Sequence, residues 1–264
     1  MLRALNKNEV SILAWETEKS EYPFFCPLCR EELLLRKGKV KTHHFAHKIK
    51  TNCDYAHGES EKHYRIKKQL YEYLKDKVNC KNCDLERNLK TVRPDISLRI
   101  NNIPVAIEIQ NSAIDVKIIQ KRMAEYTKMK IYVLWIIPQE SPSLEYREKE
   151  KVYVHNIKEW EAYLHALNYG KLYYWQGDNS IKAYHFEALE IYKESSVWYD
   201  EDGDDHYSRG YNYYARTLKH CTTDNKILFI DKDFIPNQNK GFSKYHIEIP
   251  KCLIYRDKYN NWWK

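Results

Sequence analysis

The sequence predicts an α/β protein whose central part alternates between helices and strands in a fixed order. Residues 59–77 and 114–129 carry apolar side chains at helical spacing, with charged residues on the opposite face. Three short strand-like segments lie between these helices, and the apolar run 131–137 follows the second helix. An unbroken apolar run of this kind is typical of a strand that is buried on both faces. The predicted order is therefore helix, strand, strand, strand, helix and strand.

The three segments between the helices are residues 85–90, 95–100 and 104–110. The second segment alternates between polar and apolar residues and is joined to the third by Asn101-Asn102. An Asn-Asn pair between two strand-like runs indicates a hairpin. We therefore expect the second and third strands to be neighbours in one sheet.

Composition divides the chain into three regions. The length of 264 residues corresponds to roughly two domains of ~150 residues. Residues 1–57 are expected to form a zinc-binding β module, and residues 58–138 the α/β core. Residues 139–264 are rich in Tyr and Trp and are expected to form a β-rich, aromatic C-terminal domain. We interpret this last domain as a module that handles a substrate or a partner.

Charge and hydropathy exclude some classes of protein. The net charge of +7 favours a polyanionic partner, although many ordinary soluble proteins are equally basic. The longest apolar run is far below the ~20 residues of a membrane-spanning helix, and the first residues lack the pattern of a signal peptide. Cys-x-x-Cys pairs in a chain without export signals are typical of metal ligands. These features predict a cytoplasmic protein without a membrane span.

A candidate zinc site lies in the first region. Cys26-Pro-Leu-Cys29 is followed, after fourteen residues, by His44-Phe-Ala-His47. Two thiolates and two imidazoles can complete a tetrahedral zinc site. Further candidate ligands close by are His43, Cys53 and His57. We predict a structural zinc ion bound by Cys26, Cys29, His44 and His47.

A second cysteine pair, Cys80 and Cys83, follows the first helix. It can join Cys53 and His57 in a second zinc site. It can equally be a turn with two unliganded thiols. The sequence leaves both alternatives open.

The candidate acidic site involves two predicted strands. Asp95 begins one strand, and Glu108 lies in a neighbouring strand that is otherwise apolar. A buried carboxylate must be paired or bind a metal. Gln110 lies two residues after Glu108 and therefore shares its face of the strand. The alternative is that both carboxylates are structural and pair with Arg93 or a lysine.

The first helix can add to this site. Glu59 lies at its start, with His63 and Lys67 on the next two turns. Converging carboxylates are hard oxygen ligands of the kind that Mg²⁺ and Mn²⁺ prefer. Such an ion can hold a phosphodiester oxygen and activate a water molecule for attack.

Together these motifs resemble those of the bacterial competence protein CoiA family, and they cover residues 1 to about 185. The matching pieces are Cys-Pro-x-Cys at 26–29, His-Phe-Ala-His at 44–47, Cys53, Glu59-Ser60-x-x-His63, Lys67, Asp95, Ala106–Ser112 and Arg122-x-x-x-Tyr126. The resemblance implies a restriction-endonuclease-like core (αβββαβ, mixed sheet) of the P-D…(D/E)-x-K nuclease superfamily. It also implies a metal-dependent DNA nuclease that acts in competence or recombination-type DNA processing, with recombination or DNA-uptake proteins as partners.

The resemblance assigns roles to individual residues. Glu59, Asp95 and Glu108 match acidic positions of the family, with Asp95 and Glu108 as ligands of Mg²⁺ or Mn²⁺ and the carbonyl of Ile109 as a further ligand. Gln110 stands where the superfamily usually has Lys, and Gln can orient a water but cannot stabilise developing charge as Lys does. Either Lys67 or a second metal ion can take that role.

Arg122 and Tyr126 resemble the Gln-x-x-x-Tyr pair of related recombination nucleases. The resemblance implies that they contact the DNA backbone or support the acidic site. The alternative is ordinary helix packing with an arginine that extends to solvent. Two hypotheses therefore remain for the whole chain: a metal-dependent nuclease, and a nucleic-acid-binding accessory factor that keeps the fold without cleaving DNA.

Overall fold

The N-terminal region is a five-stranded antiparallel sheet. The computed structural model describes residues 1–53, 55, 59–244 and 247–263. The strands are β1 (Arg3–Asn6), β2 (Ser11–Leu13), β3 (Phe24–Phe25), β4 (Glu32–Arg36) and β5 (His44–His47). They lie in the order β2-β1-β3-β4-β5. Phe24, Leu33 and Phe45 form a small core under this sheet. A short 3₁₀ turn at Lys19–Glu21 lies between β2 and β3 in the chain.

The central region has the order of helices and strands that the periodicity predicts. The elements are α1 (Glu61–Lys75), β6 (Cys80–Leu85), β7 (Ile96–Ile100), β8 (Ile103–Ile109), α2 (Val116–Lys128) and β9 (Tyr132–Ile136). Strands β6, β7 and β8 pair antiparallel, whereas β8 and β9 pair parallel. The mixed α/β, sheet-rich class is confirmed.

One predicted strand is displaced along the chain. The sequence places it at residues 85–90, but β6 ends at Leu85, which pairs with Ile96 of β7. The register of that antiparallel pair requires the chain to reverse between these two residues. Residues 87–94 therefore form the connection, and the Cys80-x-x-Cys83 segment is part of the strand rather than of a turn.

Each face of the central sheet is covered by one helix. Residues on α1 such as Ile66 and Leu70 pack against Ile107 and Leu134. On the other face, α2 packs against alternate residues of the same strands, including Ala106, Val133 and Trp135. Because side chains alternate along a strand, β8 and β9 are buried on both faces, as their apolar sequences predict.

The rest of the chain forms further strands and two helices. They are β10 (Glu145–Arg147), β11 (Val152–Asn156), α3 (Glu159–Leu167), β12 (Leu172–Trp175), β13 (Ile181–Lys193), β14 (Ser196–Tyr199), β15 (Asp205–Ser208), β16 (Tyr211–Thr222), β17 (Ile227–Leu228), α4 (Ile230–Asp233), β18 (Phe234–Asn239), β19 (Phe242–Lys244), β20 (Ile247–Ile249) and β21 (Cys252–Asp257). A second six-stranded sheet is built from β10, β11, β16, β13, β12 and β17.

The last strands do not form a separate layer from the core. Strand β21 pairs parallel with β9 at Ile254 and Val133, and β18 pairs with β21, so the central sheet has the order β18-β21-β9-β8-β7-β6. This differs from the expected boundary at residue 138, because the end of the chain supplies two strands that cover the edge of β9. Across the described residues, no helix combines the length and apolar character needed to cross a membrane.

Candidate functional site

A cluster of three cysteines and one histidine lies in the N-terminal sheet. The ligand atoms of Cys26, Cys29, His47 and Cys53 all lie within 4.8 Å of one another. The sulfur atoms of Cys26 and Cys53 are 3.8 Å apart, and Cys29 Sγ lies 3.3 Å from His47 Nε2. Zinc–sulfur bonds of ~2.3 Å in a tetrahedron place two sulfurs ~3.8 Å apart. The donor types and their spacing therefore fit a zinc ion.

His44 is not part of this cluster, and Cys53 takes its place. Side chains alternate along β5, so His44 and His47, three residues apart, point to opposite faces. The ring of His44 stacks on Tyr64 at a centroid distance of 4.9 Å, and its Nδ1 lies 2.9 Å from the carbonyl oxygen of Thr42. The predicted Cys₂His₂ set is thereby corrected to Cys₃His.

The local backbone prepares the cysteine pair for a metal. Cys26 accepts a hydrogen bond on its carbonyl oxygen from the backbone N–H of Arg30, which has a positive φ of 63°. Burial raises the pKa of Cys26, and it raises the pKa of Cys29 to about 12. Without a metal these thiols are therefore protonated at neutral pH, and a bound zinc ion supplies the charge that would stabilise the thiolates.

The second cysteine pair forms no comparable group. Within the part of the chain that the structure describes, only the Cys₃His cluster brings three or more such ligands together. Cys80 and Cys83 lie on β6, and Cys53 belongs to the first cluster. The remaining candidate, His57, lies outside the described residues.

Lys67 is the centre of the acidic cluster. Its side chain is fully buried, and its ammonium nitrogen lies 2.5 Å from Glu59, 2.5 Å from Glu86 and 3.4 Å from Asp95. Burial alone lowers the pKa of this lysine, but the three carboxylates outweigh burial and raise it. Lys67 is therefore a permanent cation that neutralises part of the acidic cluster.

Glu86 is a member of this cluster that the sequence analysis missed. Lys67, together with the chain terminus and Arg93, holds its pKa at about 2 against the opposing effect of burial. Its second oxygen accepts a hydrogen bond from the backbone N–H of Leu2 at 2.9 Å, which ties the N-terminal sheet to the core. Only the register of β6 on β7 places Glu86 beside Asp95, whose carbonyl oxygen accepts its backbone N–H.

Asp95 is held from two elements. Its Oδ2 accepts hydrogen bonds from the backbone N–H of Ile109 at 2.8 Å and from His63 Nε2 at 3.1 Å. Burial raises the pKa of Asp95, but His63 and Lys67 lower it by more, so the pKa lies well below its usual value. In turn, Asp95 raises the pKa of His63 above its usual value, against the effect of burial. The contact therefore favours the protonated form of His63 and the ionised form of Asp95.

Glu108 faces the opposite helix. It accepts hydrogen bonds from Arg122 at 2.6 Å and from the hydroxyl of Tyr126. Burial raises the pKa of Glu108 to about 7, because Arg122 compensates only part of the cost of desolvation. Arg122 also donates to the carbonyl oxygen of Arg93 at 3.2 Å. Arg122 and Tyr126 thus contact the carboxylate itself.

Glu59 and Gln110 lie at the margins of the cluster. Besides Lys67, the carboxylate of Glu59 has Arg93 at 3.6 Å, and Arg93 stacks on the ring of Tyr55 at 3.8 Å. Gln110 donates from Nε2 to the carbonyl oxygen of Ser112 at 2.6 Å. The three predicted carboxylates therefore do not share one point: Lys67 contacts both Glu59 and Asp95, whereas Arg122 holds Glu108.

The acidic cluster can be tested as a divalent-cation site by its donor set. Asp95 and Glu108 supply two carboxylates from paired strands. The charge of Asp95 adds to the rise in the pKa of Glu108, and His63 lowers the pKa of both. Arg122 compensates only part of the cost of burying Glu108, and Asp95 Oδ1 lies 3.4 Å from the ammonium nitrogen of Lys67. Both side chains offer carboxylate oxygens, the type of donor that Mg²⁺ and Mn²⁺ prefer. In donor type these two residues suit such an ion, while the Cys₃His cluster is the only group of three or more possible ligands among the described residues.

Comparisons with known proteins agree with these features. A family model described as the nuclease-like domain of competence protein CoiA matches residues 59–199, and a model of the CoiA N-terminal domain matches residues 5–56. Competence protein CoiA of Bacillus subtilis (strain 168) is 36% identical over 117 residues, which are 43% of this chain and 31% of that protein. No solved structure matches the chain. Because the nuclease-like model spans more than half of the sequence, the resemblance is confirmed, and the chain belongs to the competence protein CoiA family.

Proposed function

We propose that the protein is a divalent-cation-dependent nuclease with a restriction-endonuclease-like core, which hydrolyses phosphodiester bonds in DNA during competence-related DNA processing. The observation that carries this proposal is the pair Asp95 and Glu108. Both are carboxylates at the ends of adjacent strands, and both are backed by basic side chains from the flanking helices. Buried, strongly perturbed carboxylates of this kind cluster at functional sites.

A divalent cation would be held by Asp95 and Glu108, with the carbonyl oxygen of Ile109 as a further donor. Bound there, the ion would supply Lewis-acid stabilisation of a phosphodiester oxygen and a lowered pKa for water. The adjacent protein residues have roles of their own. His63 contacts Asp95 through Nε2, and its protonated form, which Asp95 favours, would offer the N–H of its other ring nitrogen to a phosphate oxygen.

Lys67 and Gln110 divide the tasks of the usual superfamily lysine. Lys67 is fully buried behind Glu59 and Asp95, so it orients these carboxylates and does not touch DNA. Gln110, whose side-chain amide donates to the carbonyl oxygen of Ser112, would exchange this bond for one that orients a water molecule. Arg122 and Tyr126 position Glu108.

The test is cleavage of labelled single- and double-stranded DNA with Mg²⁺ or Mn²⁺. We expect Asp95→Asn and Glu108→Gln each to abolish cleavage while DNA affinity and zinc content stay near the wild-type values. Asp95→Asn should also lower the melting temperature, because it removes the charge that pairs with His63 and Lys67, so cleavage is measured at a temperature at which circular dichroism shows the variant to be folded. Gln110→Ala should lower the rate less, and Gln110→Lys should restore or raise it. Absence of cleavage by the wild type with either metal on both DNA forms would overturn the proposal.

A second candidate function is a DNA-binding accessory factor that does not cleave. The observation in its favour is that Lys67, His63 and Arg122 already neutralise the carboxylates without a metal ion. Under this alternative the wild type cleaves no DNA, and Asp95→Asn lowers folding stability but leaves DNA affinity unchanged. In either case we infer a cytoplasmic location, where the Cys₃His thiols stay reduced, with DNA and recombination or DNA-uptake proteins as partners.

A further inference from the structure

We infer that DNA reaches the acidic cluster along a basic groove on the N-terminal sheet, a surface formed mainly by residues that precede the nuclease-like domain. This inference rests on the proposed function, because it assigns the path of that function's substrate. The groove consists of two adjoining cavities of about 820 and 700 Å³. They share Lys41 and His44, so they form one continuous depression.

The lining of the groove is predominantly basic, with Glu59 and Glu61 as the acidic residues of the second cavity. Residues 34–50 contain six lysines and arginines and not one acidic residue. Two of these cations are neutralised: Lys37 pairs with Glu18, and Lys48 pairs with Glu32. The exposed basic residues that line the groove, and that form no ion pair with any described residue, are Lys19, Arg36, Lys39, Lys41 and Lys50. A net charge of this sign recruits a polyanion.

The far end of the groove opens onto the acidic cluster. The second cavity is lined by Glu59, Tyr55 and Tyr64 as well as by the lysines. Glu59 is one of the three carboxylates that contact Lys67. A strand that lies in the groove is thereby led to the edge of the site that is proposed to cleave it.

The acidic cluster needs basic residues outside it to attract the DNA backbone. Four carboxylates cluster around Lys67 and Arg122, and these two cations are already engaged in ion pairs. The cluster itself therefore offers little attraction for a phosphate chain before a divalent cation binds. Lysines outside the site supply that attraction, and backbone phosphate contacts of this kind position DNA without reading its sequence.

The zinc cluster gives the groove its shape. Cys29 and His47 hold β5 close to the Cys-x-x-Cys turn, and the basic segment 36–43 connects β4 to β5. The groove walls therefore depend on the Cys₃His cluster, whereas the charges depend on the exposed lysines. Removing the charges alone leaves the fold intact, which allows a clean test.

The test compares two triple variants of the full zinc-loaded chain. Arg36→Gln, Lys39→Gln and Lys41→Gln together remove three groove charges. Their control removes three exposed lysines that line neither cavity, namely Lys130→Gln, Lys232→Gln and Lys251→Gln. Binding of labelled single-stranded and duplex DNA is measured by fluorescence anisotropy from 50 to 200 mM salt, without Mg²⁺ or Mn²⁺.

We expect the groove variant to bind at least one DNA form tenfold or more weakly than the control. The slope of log affinity against log salt should fall by about 3, because each lost phosphate contact removes nearly one unit for duplex DNA. Zinc content and melting temperature should equal those of the wild type. Equal affinity and equal salt slope for the two triple variants on both DNA forms would overturn the inference.

This outcome is distinguishable from failure of the nuclease proposal. If the wild type cleaves no DNA but the groove variant loses binding, the inference about the groove is supported and the nuclease proposal is overturned. If the wild type cleaves DNA and the groove variant binds and cleaves it as the control does, the nuclease proposal is supported and the inference about the groove is overturned.

Discussion

The Cys₃His cluster and the acidic cluster are both sets of potential metal ligands, but their counter-charges come from different sources. No lysine or arginine of the described residues forms an ion pair or hydrogen bond with the sulfurs of Cys26, Cys29 and Cys53. In the acidic cluster, by contrast, protein cations contact each carboxylate. We infer that the first cluster needs a metal to complete its structure, whereas the second can fold without one and use a metal only for chemistry.

The largest expected effect comes from removing one thiolate. Cys53→Ser should release the zinc ion and unfold the N-terminal sheet, because structural zinc contributes on the order of 10 kcal/mol to small modules of this kind. Metal analysis and circular dichroism measure both changes. The matched control is His44→Ala, which should retain about one zinc per chain. Zinc loss in His44→Ala, with zinc retained in Cys53→Ser, would restore the Cys₂His₂ set and contradict the structure.

The next effect concerns the internal cation. Lys67→Met should destabilise the protein by ~3–5 kcal/mol, because it leaves the carboxylates of Glu59, Glu86 and Asp95 without their shared partner. Chemical denaturation measures the loss. Lys62→Met, an exposed position on the same helix, is the control and should change stability by less than ~0.5 kcal/mol. Equal stability of the two variants would show that the acidic cluster does not depend on Lys67.

A smaller effect is the pH dependence that Glu108 imposes. Its folded pKa of about 7 exceeds the value of 4.5 that is usual for a glutamate in water, so the folded state binds this proton more tightly than the unfolded state. Its contribution to stability is therefore greatest at acid pH and is lost as pH rises from about 4.5 to 7. Binding of Mg²⁺ requires the ionised form, so affinity for the ion should rise with pH through about 7. An affinity that is flat from pH 6 to 8 would contradict this role.

The smallest expected effect comes from Tyr126→Phe. The hydrogen bond from Tyr126 favours the ionised form of Glu108. Its loss should raise the pKa of Glu108 and move the midpoint of Mg²⁺ binding to higher pH by less than one unit. Removing the stronger partner with Arg122→Gln should move the midpoint further in the same direction. A shift to lower pH in either variant would show that these side chains do not hold Glu108 ionised.

The contrast between the clusters also explains what the sequence could predict. The cysteine cluster spans only residues 26–53, and its Cys-x-x-Cys turn is visible in the sequence. The error over His44 arose from counting ligand types without applying the alternation of β5, which sends His44 to the opposite face from His47. Cys53 was available as a candidate but carried no spacing signal of its own.

The acidic cluster depends on contacts that are distant in sequence. Asp95, Glu108 and Lys67 were found because charged residues stand out in apolar strands and on a helix face. Glu86 could not be found, because its place depends on the register of β6 on β7. The pairing of β21 with β9 was missed for the same reason: a parallel pair 121 residues apart in sequence, Ile254 with Val133, leaves no local pattern.

The most direct test is isothermal titration calorimetry, in which Mn²⁺ is titrated into the zinc-loaded full chain of the wild type and of Asp95→Asn and the heat of binding is measured. We predict that the wild type binds Mn²⁺, that Asp95→Asn loses this binding, and that both proteins keep the same zinc content and are folded by circular dichroism at the temperature of the titration. The contradictory result is Mn²⁺ binding that is equal in the two proteins or absent from both, because the acidic cluster would then not be a second metal site.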